Sequence, residues 1–117
     1  MSVLFPLDTL KTTRECALKL LEEASEACEA IKKHDKEQKL ETYHDSLLEL
    51  VDVLQCVTNC LYVLKPSHEE FEEAVLGVRL YNRKRGRHEL HVCDDRMLTI
   101  KWDADTMKMT LDWSSNA

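Results

Sequence analysis

Between Ser46 and Leu64 the chain reads SLLELVDVLQCVTNCLYVL, apolar on nearly every side of a helix and interrupted by two charges, Glu49 and Asp52. An all-round apolar helix has no face that prefers water, so this stretch is expected to be buried. The pattern predicts a second helix over about 42–64, stopped at Lys65-Pro66 because proline disfavours helix in the residue before it. Upstream, Thr12 and Glu15 have the spacing of a capping box and open a first helix over about 12–34. Its expected buried stripe is Ala17, Leu20, Leu21, Ala24, Cys28 and Ile31, with Glu23 and Glu26 on one flank and Glu22 toward water. Residues 34–41, HDKEQKLE, have no apolar period and are expected to form a connecting loop or frayed helix ends.

Ser67 and Glu70 repeat the capping-box spacing and begin a third helix, with Phe71, Ala74, Val75, Val78 and Tyr81 as its expected buried stripe and Gly86 as its stop. Beyond Gly86 the period shortens. LTIKW (98–102) and MKMTLDW (107–113) alternate apolar and polar positions across DADT, which predicts a hairpin. ELHVC (89–93) is a candidate third strand, and the SSNA tail is expected to be disordered. The expected fold is therefore all-α, a helical bundle over residues 1–88, with a small C-terminal β-hairpin extension over 89–117.

The acids in these helices change the picture. Burying an unpaired carboxylate is costly. Glu49 and Asp52 are three apart, about one turn along one side of a helix, and Glu23 and Glu26 repeat the spacing. Four carboxylates from two helices, with no evident basic partner, would repel one another unless a cation lay among them. The expectation is a divalent metal site on a helix pair. An all-oxygen ligand set suits Mg2+, with Mn2+ as an alternative, over zinc or copper.

Composition narrows the classes further. The chain has 117 residues, 44% hydrophobic and 32% charged, with two glycines and two prolines, the balance of one soluble helical domain. A net charge of −6 argues against general nucleic-acid or anionic-membrane binding. Five cysteines with no CxxC pair read as reduced thiols in a cytoplasm. The start, MSVLFPLDTLK, lacks the pattern of a signal peptide, and Glu49, Asp52, Gln55 and Asn59 argue against a membrane span at 46–64.

Glu22-Glu23-Ala-Ser-Glu26 followed by Glu49-Leu-Val-Asp52 resembles the EExxE and ExxD signature of the MazG-like all-α nucleoside triphosphate pyrophosphohydrolases. Tyr81-Asn82-Arg83-Lys84-Arg85-Gly86-Arg87 looks like the Asn-plus-basic segment of that family, and the resemblance covers about residues 12–88. It implies cleavage of a nucleoside triphosphate between its α and β phosphates, in a bundle that forms homodimers or homotetramers. Carried over by position, Glu23, Glu26, Glu49 and Asp52 would be the magnesium ligands, and Asn82, Lys84, Arg85 and Arg87 would hold phosphates. The chemistry agrees: a triphosphate needs its charge neutralised before water can attack, and forked guanidinium donors suit phosphate oxygens. Glu22, or the free oxygen of a ligand, is the candidate to take the proton from that water.

Each feature has a plainer reading. Glu-rich helices are commonly solvated faces, and RKRGR at a helix end is favoured by the helix dipole. Glu41-Thr42-Tyr43-His44 supplies one ExxH where a di-iron bundle needs two. His68-Glu69-Glu70 lacks the second histidine of a zinc protease motif. Trp102 and Trp113 could stack on a base, although packing of the hairpin is the more ordinary role for them. The competing function is a non-catalytic helical interaction module whose acidic pairs form salt bridges at an interface.

Overall fold

The computed structural model describes residues 2–8, 12–89 and 96–115, with side chains described as far as Asp112 and excluding those of Arg96 and Met97. The element order is β1 (Ser2–Leu4), α1 (Thr13–Glu37), α2 (Leu40–Leu64), α3 (His68–Lys84), β2 (Arg96–Asp103) and β3 (Lys108–Ser115). These elements form two compact units. One is Phe5–Leu64, and the other joins Met1–Leu4 to Lys65–Ala117. The division places α3 with the strands.

The first unit is the α1–α2 hairpin. Thr12 caps α1 by accepting the Glu15 N–H at 3.1 Å. The expected connector over 34–41 is mostly helix, since α1 runs to Glu37 and α2 starts at Leu40. Gln38 closes α1 in the left-handed conformation (φ 53°), donating its backbone N–H to His34 O. Thr42 ties the turn together. Its Oγ1 accepts the Lys39 N–H at 3.2 Å and donates to Lys39 O at 2.9 Å. The hydroxyl proton being so committed, His34 Nδ1, 2.7 Å away, is the donor in that contact.

The two helices meet along a seam of small, polar and acidic residues. On α1 the covered positions are Cys16, Leu20, Glu23, Ala24, Ala27, Ala30 and His34, so Leu20 and Ala24 of the expected stripe are covered; on α2 they include Thr42, Ser46, Glu49, Val53 and Cys56. Ser46 Oγ bridges the helices, lying 2.9 Å from Thr42 O and 3.2 Å from Ala30 O. This corrects the expected α1 stripe: Leu21 is 69% exposed, Cys28 and Ile31 also face outward, and Glu23 lies in the seam instead of on its flank. Small residues allow helices to approach closely, so they take much of the contact and leave Leu18 and Leu21 outside.

Nor is α2 buried as its composition predicts. By length and composition it is apolar enough to cross a membrane, and 17% of its most apolar stretch is buried. Leu40, Tyr43, Leu47 and Leu50 recur at helical spacing on an exposed stripe, because α1 covers only one face of α2. Residues 5–7 run along another part of α2. There Gln55 Nε2 donates to Phe5 O at 2.7 Å, and Leu7 N donates to Asn59 Oδ1 at 3.1 Å.

In the second unit, Ser67 and Glu70 form the expected capping box, each side chain accepting the other's backbone N–H, at 3.1 and 2.9 Å. The chain leaves α2 through Lys65 (φ 53°), just before Pro66, as the sequence predicts. Gly86 (φ 76°) ends α3, and Arg87 N donates back to Asn82 O at 2.8 Å in a Schellman closure. The expected buried stripe of α3 is not formed. Val75, Val78 and Tyr81 are 41–61% exposed, and Phe71 is partly covered.

The hairpin is present, with β2 antiparallel to β3 and Trp102 opposite Met109. Its turn is set by Asp103, whose Oδ1 accepts the N–H groups of Asp105 and Thr106 at 3.0 and 3.1 Å. The third strand is β1, giving the order β1-β3-β2. The candidate strand at 89–93 lies outside the described residues apart from Glu89, as do Asn116 and Ala117 of the tail. Ser114 and Ser115, expected to be disordered, belong to β3. Trp102 and Met109 are 1% and 2% exposed, and Trp102 Nε1 donates to Pro66 O at 3.3 Å. Trp102 is therefore a core residue and is not available to stack on a base; the Trp113 side chain lies outside the described residues.

Candidate metal centre

The polar seam brings the acids together. One turn of α1 presents Glu22, Glu23 and Glu26, and one turn of α2 presents Glu49 and Asp52. Each of Glu23, Glu49 and Asp52 offers a carboxylate oxygen within 4.8 Å of the others. Glu22, Glu23 and Glu26 form a second trio by the same measure. Of the four expected ligands, Glu23, Glu49 and Asp52 form one trio, while Glu26 falls in a second with Glu22, and the two trios share Glu23.

Two features show how poorly the protein alone compensates this charge. Glu49 Oε2 is buried and accepts no hydrogen bond among the described residues. A buried acceptor without a partner costs on the order of 1–3 kcal/mol. Glu26, although exposed, has its carboxyl held above the usual range, chiefly by the charge of Glu23, then by desolvation and by the charges of Glu49 and Glu22.

The acids are not entirely without a cation, which corrects the expectation from sequence. Lys19 Nζ lies 3.1 Å from Glu23 and 3.5 Å from Glu22. Its ammonium is raised above its ordinary pKa, first by the hydrogen bond to Glu23 and then by the charge of Glu22. The signal was present as Lys19 four residues before Glu23, a standard helical ion pair. Lys19 is 52% exposed, so the pair is weak and leaves the α2 acids unmatched.

The donor set is oxygen alone. Cys56 lies one turn beyond Asp52, but burial, followed by the charge of Glu23, pushes its thiol up; burial, followed by Cys16, does the same to Cys60. Both therefore favour the neutral thiol, and among the described residues neither belongs to a group of converging ligand atoms. Clustered carboxylates with one buried, unpartnered oxygen fit a hard divalent cation such as Mg2+.

Beside the acids is a cavity of about 380 Å3 lined by Leu7, Lys19, Glu23, Asp52, Gln55 and Asn59, among others. Gln55 and Asn59, which line this cavity, carry no sequence signal for it, because a lone amide on an apolar helix does not reveal what it faces. The basic segment belongs to the other unit. Asn82 is partly covered, Arg85 stacks 4.8 Å from the Tyr81 ring centroid, and Lys84, Arg85 and Arg87 are exposed. Comparison of the chain with protein-family models, with curated proteins and with solved structures gave no match to any of them.

Proposed function

We propose that the chain is a Mg2+-dependent nucleoside triphosphate pyrophosphohydrolase of the MazG-like kind, releasing a nucleoside monophosphate and pyrophosphate. The observation that carries this reading is the convergence of Glu23, Glu49 and Asp52 from two helices around a buried, unpartnered oxygen. In this reading Glu23, Glu49 and Asp52 hold the cation, and Glu26 joins through the trio it forms with Glu22 and Glu23. Bound there, Mg2+ would supply charge neutralisation for the phosphates and acidify a coordinated water.

The remaining work falls to the chain's own side chains. Glu22, exposed and beside the trio, takes the proton from the attacking water. Asn82, Lys84, Arg85 and Arg87 are the phosphate-holding residues that the resemblance supplies, the arginines having forked donors that suit phosphate oxygens. The helix seam fixes the spacing of the acids before substrate arrives, so little ordering is left for the moment of reaction. The exposed leucine stripe of α2 goes with a homodimer or homotetramer in the cytoplasm, a second copy covering what α1 leaves bare.

Pyrophosphate release from a panel of ribo- and deoxyribonucleoside triphosphates, with and without Mg2+, tests the assignment. Turnover of at least one nucleotide, dependent on Mg2+ and lost in Asp52→Asn, is the expected result. Absence of turnover across the panel by folded protein, with Mg2+ leaving its thermal stability unchanged, removes the assignment. The second reading, a helical interaction module, rests on the same exposed α2 stripe, and that outcome would favour it.

A further inference from the structure

Two amides beside the acids are only half used. Asn59 is 3% exposed, and its Oδ1 accepts two hydrogen bonds, from Leu7 N at 3.1 Å and from Gln55 Nε2 at 3.0 Å. That pattern fixes which end of the amide is oxygen. Its Nδ2, with two N–H groups, donates to nothing among the described residues. Gln55 is its complement: Nε2 gives both protons away, to Phe5 O at 2.7 Å and to Asn59 Oδ1, and Oε1 accepts from no donor among the described residues. Asn59 and Gln55 line the same cavity as Glu23 and Asp52, and neither of the two free amide atoms is sealed off from it, so both can meet a ligand there.

The cavity has the size of a small-ligand site. Glu15, Glu23, Asp52 and Lys19 line it with charge, Leu7 and Cys56 add apolar surface, and the two amides offer N–H and C=O groups. A ligand that fits is a polyanion at the metal end, carrying a flat heterocycle whose edge places a hydrogen-bond acceptor beside a donor. We infer that this cavity is the base-binding pocket of the nucleotide site, with Asn59 Nδ2 and Gln55 Oε1 reading the edge of the base, and with residues 5–7 as a wall clamped in place by the same two side chains. The inference rests on the pyrophosphohydrolase reading for its ligand, and names the residues that set base preference within it.

Asn59→Asp separates the two jobs of this residue. The carboxylate keeps both accepted bonds, so the wall formed by residues 5–7 stays attached, while the donors to the ligand are lost. The KM for the preferred nucleotide is expected to rise at least about tenfold, with preference among bases reduced. The inhibition constant of inorganic tripolyphosphate, which has no base, reports any change caused by the added charge alone. A rise in the nucleotide KM matched by an equal rise in that constant overturns the assignment of Asn59. A second measurement uses the unaltered protein: metal-free nucleosides titrated to millimolar concentration should shift the Asn59 side-chain amide resonances. If no nucleoside does so, the pocket is not a base site, whatever the hydrolysis assay gives. If nucleosides shift it and no triphosphate is cleaved, the pocket stands and the hydrolytic reading fails.

Discussion

Replacing Glu49 by glutamine should make the metal-free protein more stable and blind to Mg2+. The carboxylate has one buried oxygen with no partner and faces Glu23 and Asp52 within 4.8 Å. Two unit charges at that separation repel by about 0.9 kcal/mol at the dielectric constant of water and about 3.5 kcal/mol at an effective value of 20. Asp52 is exposed, so the lower part of that range applies to this half-open site. The glutamine amide removes the charge and places N–H donors opposite the carboxylates that remain. A net gain of about 1–2 kcal/mol follows, or roughly 5–15 °C in the melting temperature of a unit this small. For the wild type, saturating Mg2+ at a hundred times its dissociation constant adds about 2.7 kcal/mol. Thermal melts of both proteins in chelator and across a Mg2+ series read these terms separately. A glutamine variant less stable than wild type in chelator would show that Glu49 has a partner the structure does not reveal. A wild type indifferent to Mg2+ would remove the site itself.

Three further outcomes follow from the same structure. Glu26 has its folded-state carboxyl raised, so the folded chain binds more protons than the unfolded chain between the two values. Metal-free stability should therefore rise as pH falls from neutrality through the raised value, and Glu26→Gln should flatten that rise in pH-dependent melts. Ser67→Ala removes the cap that accepts the Glu70 N–H and should cost about 1 kcal/mol, read by chemical denaturation, with the α1–α2 unit unaffected. Leu47, 44% exposed in the α2 stripe, is worth on the order of 1 kcal/mol if covered by another copy. Light scattering should then give a multiple of the 13.6 kDa chain mass for the wild type and a smaller species for Leu47→Glu. A monomeric wild type would count against self-association.

The ends of the elements were the most legible part of this sequence, because caps act through two or three neighbouring residues. Thr12, Ser67 with Glu70, Lys65-Pro66 and Gly86 each stand where a helix starts or stops. The alternation on either side of Asp103–Thr106 likewise marks the hairpin. What sequence could not supply was the choice of packing face. Hydrophobicity favours Leu21 and Ile31 as the inward residues of α1, whereas the helix pair closes on Cys16, Ala27 and Ser46, whose small size permits close approach. The turn at 38–39 was hidden because a charged helix end has no apolar period, and its geometry depends on Thr42 reaching back to Lys39. The strand Ser2–Leu4 is too short to alternate, and its partner lies more than a hundred residues away. Within the candidate site, the spacing of the acids was readable and their convergence was expected. Lys19, Gln55 and Asn59 were overlooked because their roles depend on what each faces.

Glu23 is a member of both acidic trios, and this constrains how the site can be filled. An ion held with Glu49 and Asp52 and another held with Glu26 would both have to draw on the one Glu23 carboxylate. Occupancy of the two positions is then linked through a single side chain, and its neutralisation would empty both, whereas loss of Asp52 would vacate one. Stoichiometry at such a centre is set by the bridging residue rather than by the number of acids around it.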